Sequence, residues 1–257
     1  MRSNQQLIQN NFNASAPDYL SNAHIQREVA TKIMNELAKL PSADKKILDL
    51  GSGPGTFSHQ SAKAPSNMVL VDLSINMLRN NPANTPAING DATNLPIASE
   101  SIELVISNLM LQWIANKSQV FAEIHRCLCA TGNLVLTTLI QPSLHELRSA
   151  WQQVDNLNHT LNFADSSDYQ QILTANNDWQ QLEFYPWSQT IYFSDIYSLL
   201  RHFKNTGTSM PRADVIAGLG GKQKLAQLTA AYEKLRTAQG LPLTYCYLLI
   251  TAQKGQP

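Results

Sequence analysis

Three acidic residues and a run of glycines carry the chemistry legible in this sequence. In "ILDLGSGPGTF", residues 47–57, an apolar stretch reaches Asp49 and breaks into alternating glycines, Gly51, Gly53 and Gly55, with Ser52 between the first two. Glycine tolerates positive φ and adds no side chain, so a ligand can come close to such a turn. A dinucleotide site usually reads G-x-G-x-x-G and points the N–H groups of a helix N-terminus at a pyrophosphate. Here the spacing is G-x-G-x-G, with a carboxylate two positions before the first glycine. A pyrophosphate gains nothing from that charge, whereas a ligand with an ammonium group does. A second acid, Asp72, closes "MVLVD" just before Leu73, about twenty residues downstream, where a carboxylate can accept both ribose hydroxyls. The third, Asp91, stands beside Ala92 in "NGDATNLP", one acceptor and one small backbone amide suited to an adenine edge. Asn108 and Trp113 in "SNLMLQW" follow a fourth apolar run and belong at the mouth of the site. The competing reading makes Asp49 a helix cap at a strand end and Asp72 a solvated loop acid.

The elements that must position these residues alternate along the chain. Residues 22–40 predict a helix, with Ile25, Val29, Ile33 and Leu37 at four-residue intervals and Pro41 beyond. The apolar runs "KILDL", "NMVLVDL", "AING", "SIELVISNL" and "GNLVLTTL" then read as strands, the last after the helical "SQVFAEIHRCL". Such alternation implies an α/β fold with a parallel sheet wound on both faces. Beyond Leu139, "PSLHELRSAWQQV" predicts a helix opened by a capping box of Ser143 and Glu146, and "DSSDYQQIL" a second. "WQQLEFYPWSQTIYF" reads as a strand, "DIYSLLRHFKNTG" as a helix ending at Gly207, and "LTYCYLLITAQ" as a closing strand, which suits an antiparallel pair at the sheet edge. The helices between Gln141 and about Asn177 exceed an ordinary connection and suit a lid over the strand ends.

Length, charge and cysteines narrow the class. With 257 residues the chain suits one domain: cap helices over 1–40, a binding core over 45–140 and a lid over 141–177. A formal charge of zero argues against a nucleic-acid partner. The charge is nonetheless locally polarised: residues 141–195 hold seven acids against Arg148 alone, and residues 196–236 seven bases against two acids. No membrane span and no signal-like apolar stretch stands out, and the three cysteines suit reduced thiols, so a cytoplasmic protein is expected. No metal-ligand spacing is present.

Together, "LDLGSGPG", "VDLS", "GDATNLP" and "LVISNLMLQW" resemble the class I S-adenosylmethionine-dependent methyltransferases in order and spacing. That resemblance implies a seven-stranded, mostly parallel sheet of order 3-2-1-4-5-7-6 and S-adenosylmethionine as cofactor. It further implies that Asp49 and Gly51 hold the methionine end, Asp72 the ribose, and Asp91 with Ala92 the adenine. The outer segments "YLSNAHIQ", "TTLIQPSLHELRSAWQQVD", "LLRHFKNTG" and "LPLTY" are similar to the malonyl-acyl carrier protein O-methyltransferases of biotin synthesis. The acceptor implied is the carboxylate of a malonyl thioester. A carboxylate is already ionised at neutral pH, so no general base is expected. By the same resemblance Tyr19 and Gln26 fold over the cofactor; Trp113 suits contact with the methyl or methionine region, with a core tryptophan the competing reading.

On the helix "DIYSLLRHFKNTG", a 3.6-residue period gathers Ile196, Leu199, Leu200 and Phe203 on one stripe, with Tyr197, Arg201 and Lys204 on a neighbouring face. A guanidinium there suits a clamp on the malonyl carboxylate, and an exposed basic stripe is the plainer alternative. The stretch around Arg212, Lys222 and Lys224 is the candidate docking surface for acidic carrier protein. Three rivals share these features: a carboxyl methyltransferase for small acids of the trans-aconitate type, a non-catalytic S-adenosylmethionine-binding protein, and an NAD dehydrogenase.

Overall fold

Short aliphatic runs, covered by helices on both faces, build the centre of the molecule. The computed structural model describes residues 4–40, 45–57, 67–155, 157–175, 178–206, 208 and 219–255. Strand β1 (Ile47–Leu50) is buried at every position. It lies between β2 (Met68–Asp72) and β4 (Ile102–Asn108), and runs parallel to both. β3 (Ala87–Asn89) extends the sheet on one side and β5 (Leu128–Leu139) on the other, again in parallel. β7 (Leu241–Lys254) is antiparallel between β5 and the edge strand β6 (Trp179–Phe193), giving the order β3-β2-β1-β4-β5-β7-β6. This is the doubly wound arrangement the resemblance implied. Register aligns Asp49 with Leu70 and Ile106, and Asp72 with Asn89, so the acidic strand tips end side by side.

Helix α1 (Asn4–Ser15), a short turn over Ala16–Asp18, and α2 (Tyr19–Asn22) lead into α3 (His24–Leu37). α3 buries Ile25, Val29, Ala30 and Ile33, and Ala30 and Ile33 pack with Leu70, Ile106 and Val135 on one face of the sheet. Each buried Ile or Val side chain stabilises by about 1.5–3 kcal/mol. After the short α4 (Ile75–Arg79), α5 (Lys117–Cys127) covers the other face through Val120, Phe121 and Ile124. In the stretch expected to form a lid, α6 (His145–Gln152) and α7 (Ser166–Thr174) go to different places. α7 sends Tyr169 and Leu173 into the α5 side of the core, while Leu147 and Trp151 of α6 join a third cluster with α8 (Ile196–Asn205) and α9 (Leu219–Glu233). The oppositely charged stretches of the sequence meet here, through an ion pair of 2.9 Å between Asp155 and Lys224.

Three local expectations change. Helix α9 has no forewarning in the sequence, because it opens on the poor helix former glycine at Gly220 and Gly221; Leu228 and Tyr232, packed in the third cluster, hold it instead. β5 starts at Leu128, ahead of the expected Gly132, and passes through Thr131 at φ +63° beside a register shift against β4. The capping box of Ser143 and Glu146 does not form: the residue before α6 is Leu144 at φ +59°. Both side chains are taken by β7. Ser143 Oγ donates to Cys246 O and accepts from Cys246 N–H, each at 2.8 Å. The Glu146 carboxylate accepts from Thr244 N–H at 3.0 Å and from the Thr244 hydroxyl. Strand backbone about a hundred residues away thus outcompetes the local N–H groups that a cap would serve.

Glu146→Ala leaves two donors of Thr244 without their acceptor and is expected to cost about 1–3 kcal/mol. A urea midpoint unchanged from wild type would show that the carboxylate does not tie α6 to β7.

Candidate functional site

The glycine turn after β1 has the backbone that its composition allows. Gly51, Gly53 and Gly55 take φ of +68°, +57° and +83°. At Gly51 a Cβ would stand 2.3 Å from Met110 Cγ and 2.6 Å from Met110 Cβ, so a side chain is excluded by both strain and space. The turn is held from below: Gly51 and Ser52 N–H groups donate to Val71 O at 2.8 and 3.2 Å. From the next strand tip the Asp72 carboxylate accepts Gly53 N–H at 2.8 Å and Ser74 N–H at 2.7 Å. Carboxylate and turn therefore share one rigid geometry.

Beneath this turn lies Asp49, 1% exposed, whose two carboxylate oxygens have no hydrogen-bond partner among the described residues. Burial foremost, and the charge of Asp72 second, push its carboxyl well above the ordinary range. Burial also raises Asp72, against the two N–H groups that favour its ionised form. A buried carboxylate with nothing to offset it attracts a cation into the space above. At the tip of β3, Asp91 Oδ1 accepts Thr93 N–H and Oγ1–H, both at 2.8 Å, and Oδ2 accepts Gln5 Nε2–H at 2.6 Å. Burial opposes ionisation here, but the bonds from Thr93 and Gln5 prevail and hold its carboxyl below the usual value. Asn108, at the end of β4, donates from Nδ2 to Gln26 O at 2.8 Å and accepts Thr137 Oγ1–H at 2.7 Å.

Two adjoining cavities open over these strand tips. The first is floored by the glycine turn and walled by Asp72, Asp91 and Asn108, with α1 as its cover. Gln9 Nε2–H of α1 donates to Leu73 O at 2.8 Å, and the Phe12 ring meets Trp113 edge-on with centroids 5.3 Å apart. The second shares Phe12, Tyr19, Leu109 and Trp113 with the first and runs on between Leu139, Phe163 and Phe203. Its polar wall comprises Gln26, Gln112, His202, Thr206, Thr208 and Tyr245. The Tyr19 hydroxyl, at the junction, is held protonated by burial and by the nearby charge of Asp72.

A family model described as a methyltransferase domain matches residues 48–136. A biotin biosynthesis bifunctional protein of Cellvibrio japonicus is 33% identical over 93% of this chain, and the match spans 48% of that longer protein. The malonyl-[acyl-carrier protein] O-methyltransferase of Gallionella capsiferriformans is 31% identical, with 96% of this chain matched to 89% of its length. The chain belongs to the malonyl-acyl carrier protein O-methyltransferase family. Among solved structures, the YcgJ protein of Bacillus subtilis shares the fold, with a TM-score of 0.59 at 18% identity over 88% of this chain and 98% of that one.

In this member of the family, Gly51, Gly53, Asp72, Leu73, Asp91, Ala92 and Asn108 line the first cavity, and Gln26 lines the second. Tyr19 and Trp113 line both. Asp49, Ser52 and Gly55 stand behind the cavity wall and shape the turn; Ser52 Oγ–H donates to Gly53 O at 3.2 Å. Tyr197, Arg201 and Lys204 are not brought to the site. They occupy the exposed side of α8 and line neither cavity, because one residue along a helix turns the side chain by about 100°. His202, Phe203 and Thr206 take the inner face instead. Of the expected docking residues, Lys222 is exposed, Lys224 is paired with Asp155, and Arg212 lies outside the described residues. Sequence reasoning missed Gln5, Gln9 and Phe12 of α1, and His202 and Tyr245 in the second cavity. The spacing of Ile8 and Phe12, four apart, was the available signal for α1. Among the described residues no group of three or more His, Cys, Asp or Glu could hold a metal ion, and no helix is long and apolar enough to cross a membrane.

Because the Asp49 carboxyl is raised in the fold, the folded chain keeps a proton that the unfolded chain has released, and stability falls as pH rises above the ordinary aspartate value. Asp49→Asn removes that loss. In melts without ligand at pH 5 and pH 8, its advantage over wild type should widen with pH by about 2–4 °C, equivalent to about 1 kcal/mol for a chain of this size. A gap independent of pH would show that the side chain is not held in a site hostile to its charge.

Proposed function

We propose that this chain transfers the methyl group of S-adenosylmethionine to the free carboxylate of a malonyl thioester on acyl carrier protein, in the cytoplasm, giving the methyl ester that enters biotin synthesis. The observation that carries this reading is the unpartnered Asp49 carboxylate beneath the positive-φ glycine turn, in a chain of this family. The residues fit such a cofactor. The Asp49 carboxyl under the turn, held protonated by burial, gains from the ammonium and sulfonium groups the positive charge that favours its ionised form, the pinned Asp72 suits ribose hydroxyls, and Asp91 with Ala92 suits an adenine edge. Bound there, it supplies an electrophilic methyl on a cationic sulfur. The free thiols Cys127, Cys129 and Cys246 are in keeping with a reducing compartment.

The chain's part in the reaction is orientation and exclusion of water. A malonyl carboxylate is ionised at neutral pH and needs no base, so what remains is an in-line approach, where alignment is worth about 7–11 kcal/mol. Trp113, Phe12 and Tyr19 surround the passage between the cavities, where donor and acceptor meet. α1 shields the first cavity from solvent through Gln5 and Gln9. Outside, Arg201 and Lys204 on α8 and Lys222 on α9 present exposed positive charge to an acidic carrier protein.

Malonyl-acyl carrier protein, malonyl-coenzyme A and their succinyl analogues, assayed in parallel, should show methyl ester formation on the malonyl thioesters. Its absence on every malonyl thioester would sink the reading. The double change Arg201→Glu with Lys204→Glu should raise KM for the carrier-protein substrate about tenfold and leave KM for malonyl-coenzyme A unaltered. Equal effects on both substrates would remove α8 from the docking surface.

A further inference from the structure

The second cavity is unusual in what it withholds. Among the described residues no Lys or Arg lines it, although its family role, as proposed above, is to admit part of an anionic substrate. Its inner wall carries a buried polar pair: His202 Nε2 on α8 lies 3.0 Å from the Tyr245 hydroxyl on β7. The imidazole is surrounded by aromatic rings, with the centroids of Phe193 and Phe203 each 5.5 Å away. Burial foremost, and the neighbouring His24 second, lower the His202 imidazole to about 4, so it is neutral at physiological pH. The Tyr245 hydroxyl is held protonated by burial and by the neighbouring Tyr247 and Tyr232.

A neutral imidazole and a phenol bring two polar protons. One is consumed by their mutual bond, whichever partner donates, and one is left over. The pair, which lines the cavity, therefore has a single hydrogen-bond donor to spare and no charge. In a malonyl thioester one methylene separates the carboxylate from the thioester carbonyl. With the carboxylate at the passage by Tyr19 and Trp113, the carbonyl falls within the second cavity. A neutral carbonyl oxygen is satisfied by one donor. A second carboxylate in the same place would be a buried anion with no cation among the described lining residues to offset it, which is strongly disfavoured.

We infer that His202 and Tyr245 are substrate-positioning residues that donate one hydrogen bond to the thioester carbonyl, and that this chamber, with no cation among the described residues, selects thioesters over free dicarboxylic acids. The inference rests on the malonyl reading and adds what the second cavity recognises. It also accounts for a helix α8 that keeps its cations outside.

The test compares wild type with His202→Leu, His202→Gln, Tyr245→Phe and the double variant His202→Leu with Tyr245→Phe. Two quantities are measured: KM for malonyl-coenzyme A, and its calorimetric dissociation constant with S-adenosylhomocysteine present. The double variant should raise both about tenfold, the size of one lost hydrogen bond to a buried group, while S-adenosylmethionine affinity stays within about twofold of wild type. His202→Gln, which keeps a neutral N–H, should recover most of the loss seen in His202→Leu. Wild type should favour malonyl-coenzyme A over free malonate by at least about a hundredfold in kcat/KM, and His202→Arg, which brings a cation to the chamber, should narrow that ratio. A folded double variant with unchanged KM and binding would overturn the inference alone, as would efficient use of free malonate by wild type. Failure of wild type on every malonyl thioester would overturn the underlying reading and the inference together.

Discussion

A carboxylate with both oxygens buried and unpartnered is the constraint around which this structure is arranged. Asp49 is held at the tip of β1 between two parallel neighbours, so it cannot turn to solvent. The turn above it carries no side chain at its three positive-φ glycines, and at Gly51 the close approach of Met110 leaves no room for one. The N–H groups of the turn are engaged elsewhere: Gly53 N–H and Ser74 N–H serve Asp72, and Gly51 and Ser52 N–H groups serve Val71 O. Among the described residues nothing offsets the charge, and the first cavity opens on the other side of the turn. On the proposed function, that cost in the empty protein is linked to affinity for a cationic cofactor.

The elements around this charge divide the work of recognition. α1 closes the cofactor side with amides: Gln5 on Asp91, and Gln9 on the Leu73 carbonyl. The antiparallel strand β7 closes the acceptor side, where the alternation of a strand sends Tyr245 and Tyr247 to one face, their rings stacked at 6.0 Å. Tyr245 then meets His202 of α8. Between the two sides stand Phe12, Tyr19 and Trp113, the only large rings shared by both cavities among the described residues. Among the described residues the first cavity is lined by Asp72 and Asp91, and the second by no Asp, Glu, Lys or Arg.

Much of this was legible in the chain itself. Regular elements with strong periodicity, such as α3, β6 and α5, fall where their patterns place them, because burial of one face follows directly from the spacing of apolar residues. The acids at the ends of three strands were visible for the same reason: a strand run and its last residue are read together. The misses share one cause. Ser143 and Glu146 have the spacing of a cap, yet β7 claims them, and α9 opens on glycines but is stabilised by Leu228 and Tyr232 in a distant cluster. On α8 the apolar stripe was read correctly. The polar residue riding within it, His202, was passed over for the cations one step around the helix.

By itself the sequence determined the order of strands and helices, the three acidic tips, and the glycine turn that leaves space for a ligand, since all of these depend on residues near one another in the chain. Only the tertiary structure decided that Asp49 has no partner among the described residues, that α1 roofs the first cavity, and that His202 rather than Arg201 faces the second. Those facts depend on which groups from distant segments arrive first at a given donor or acceptor, and on a helix rotation fixed by packing against β6 and β7. Local spacing carries no record of either.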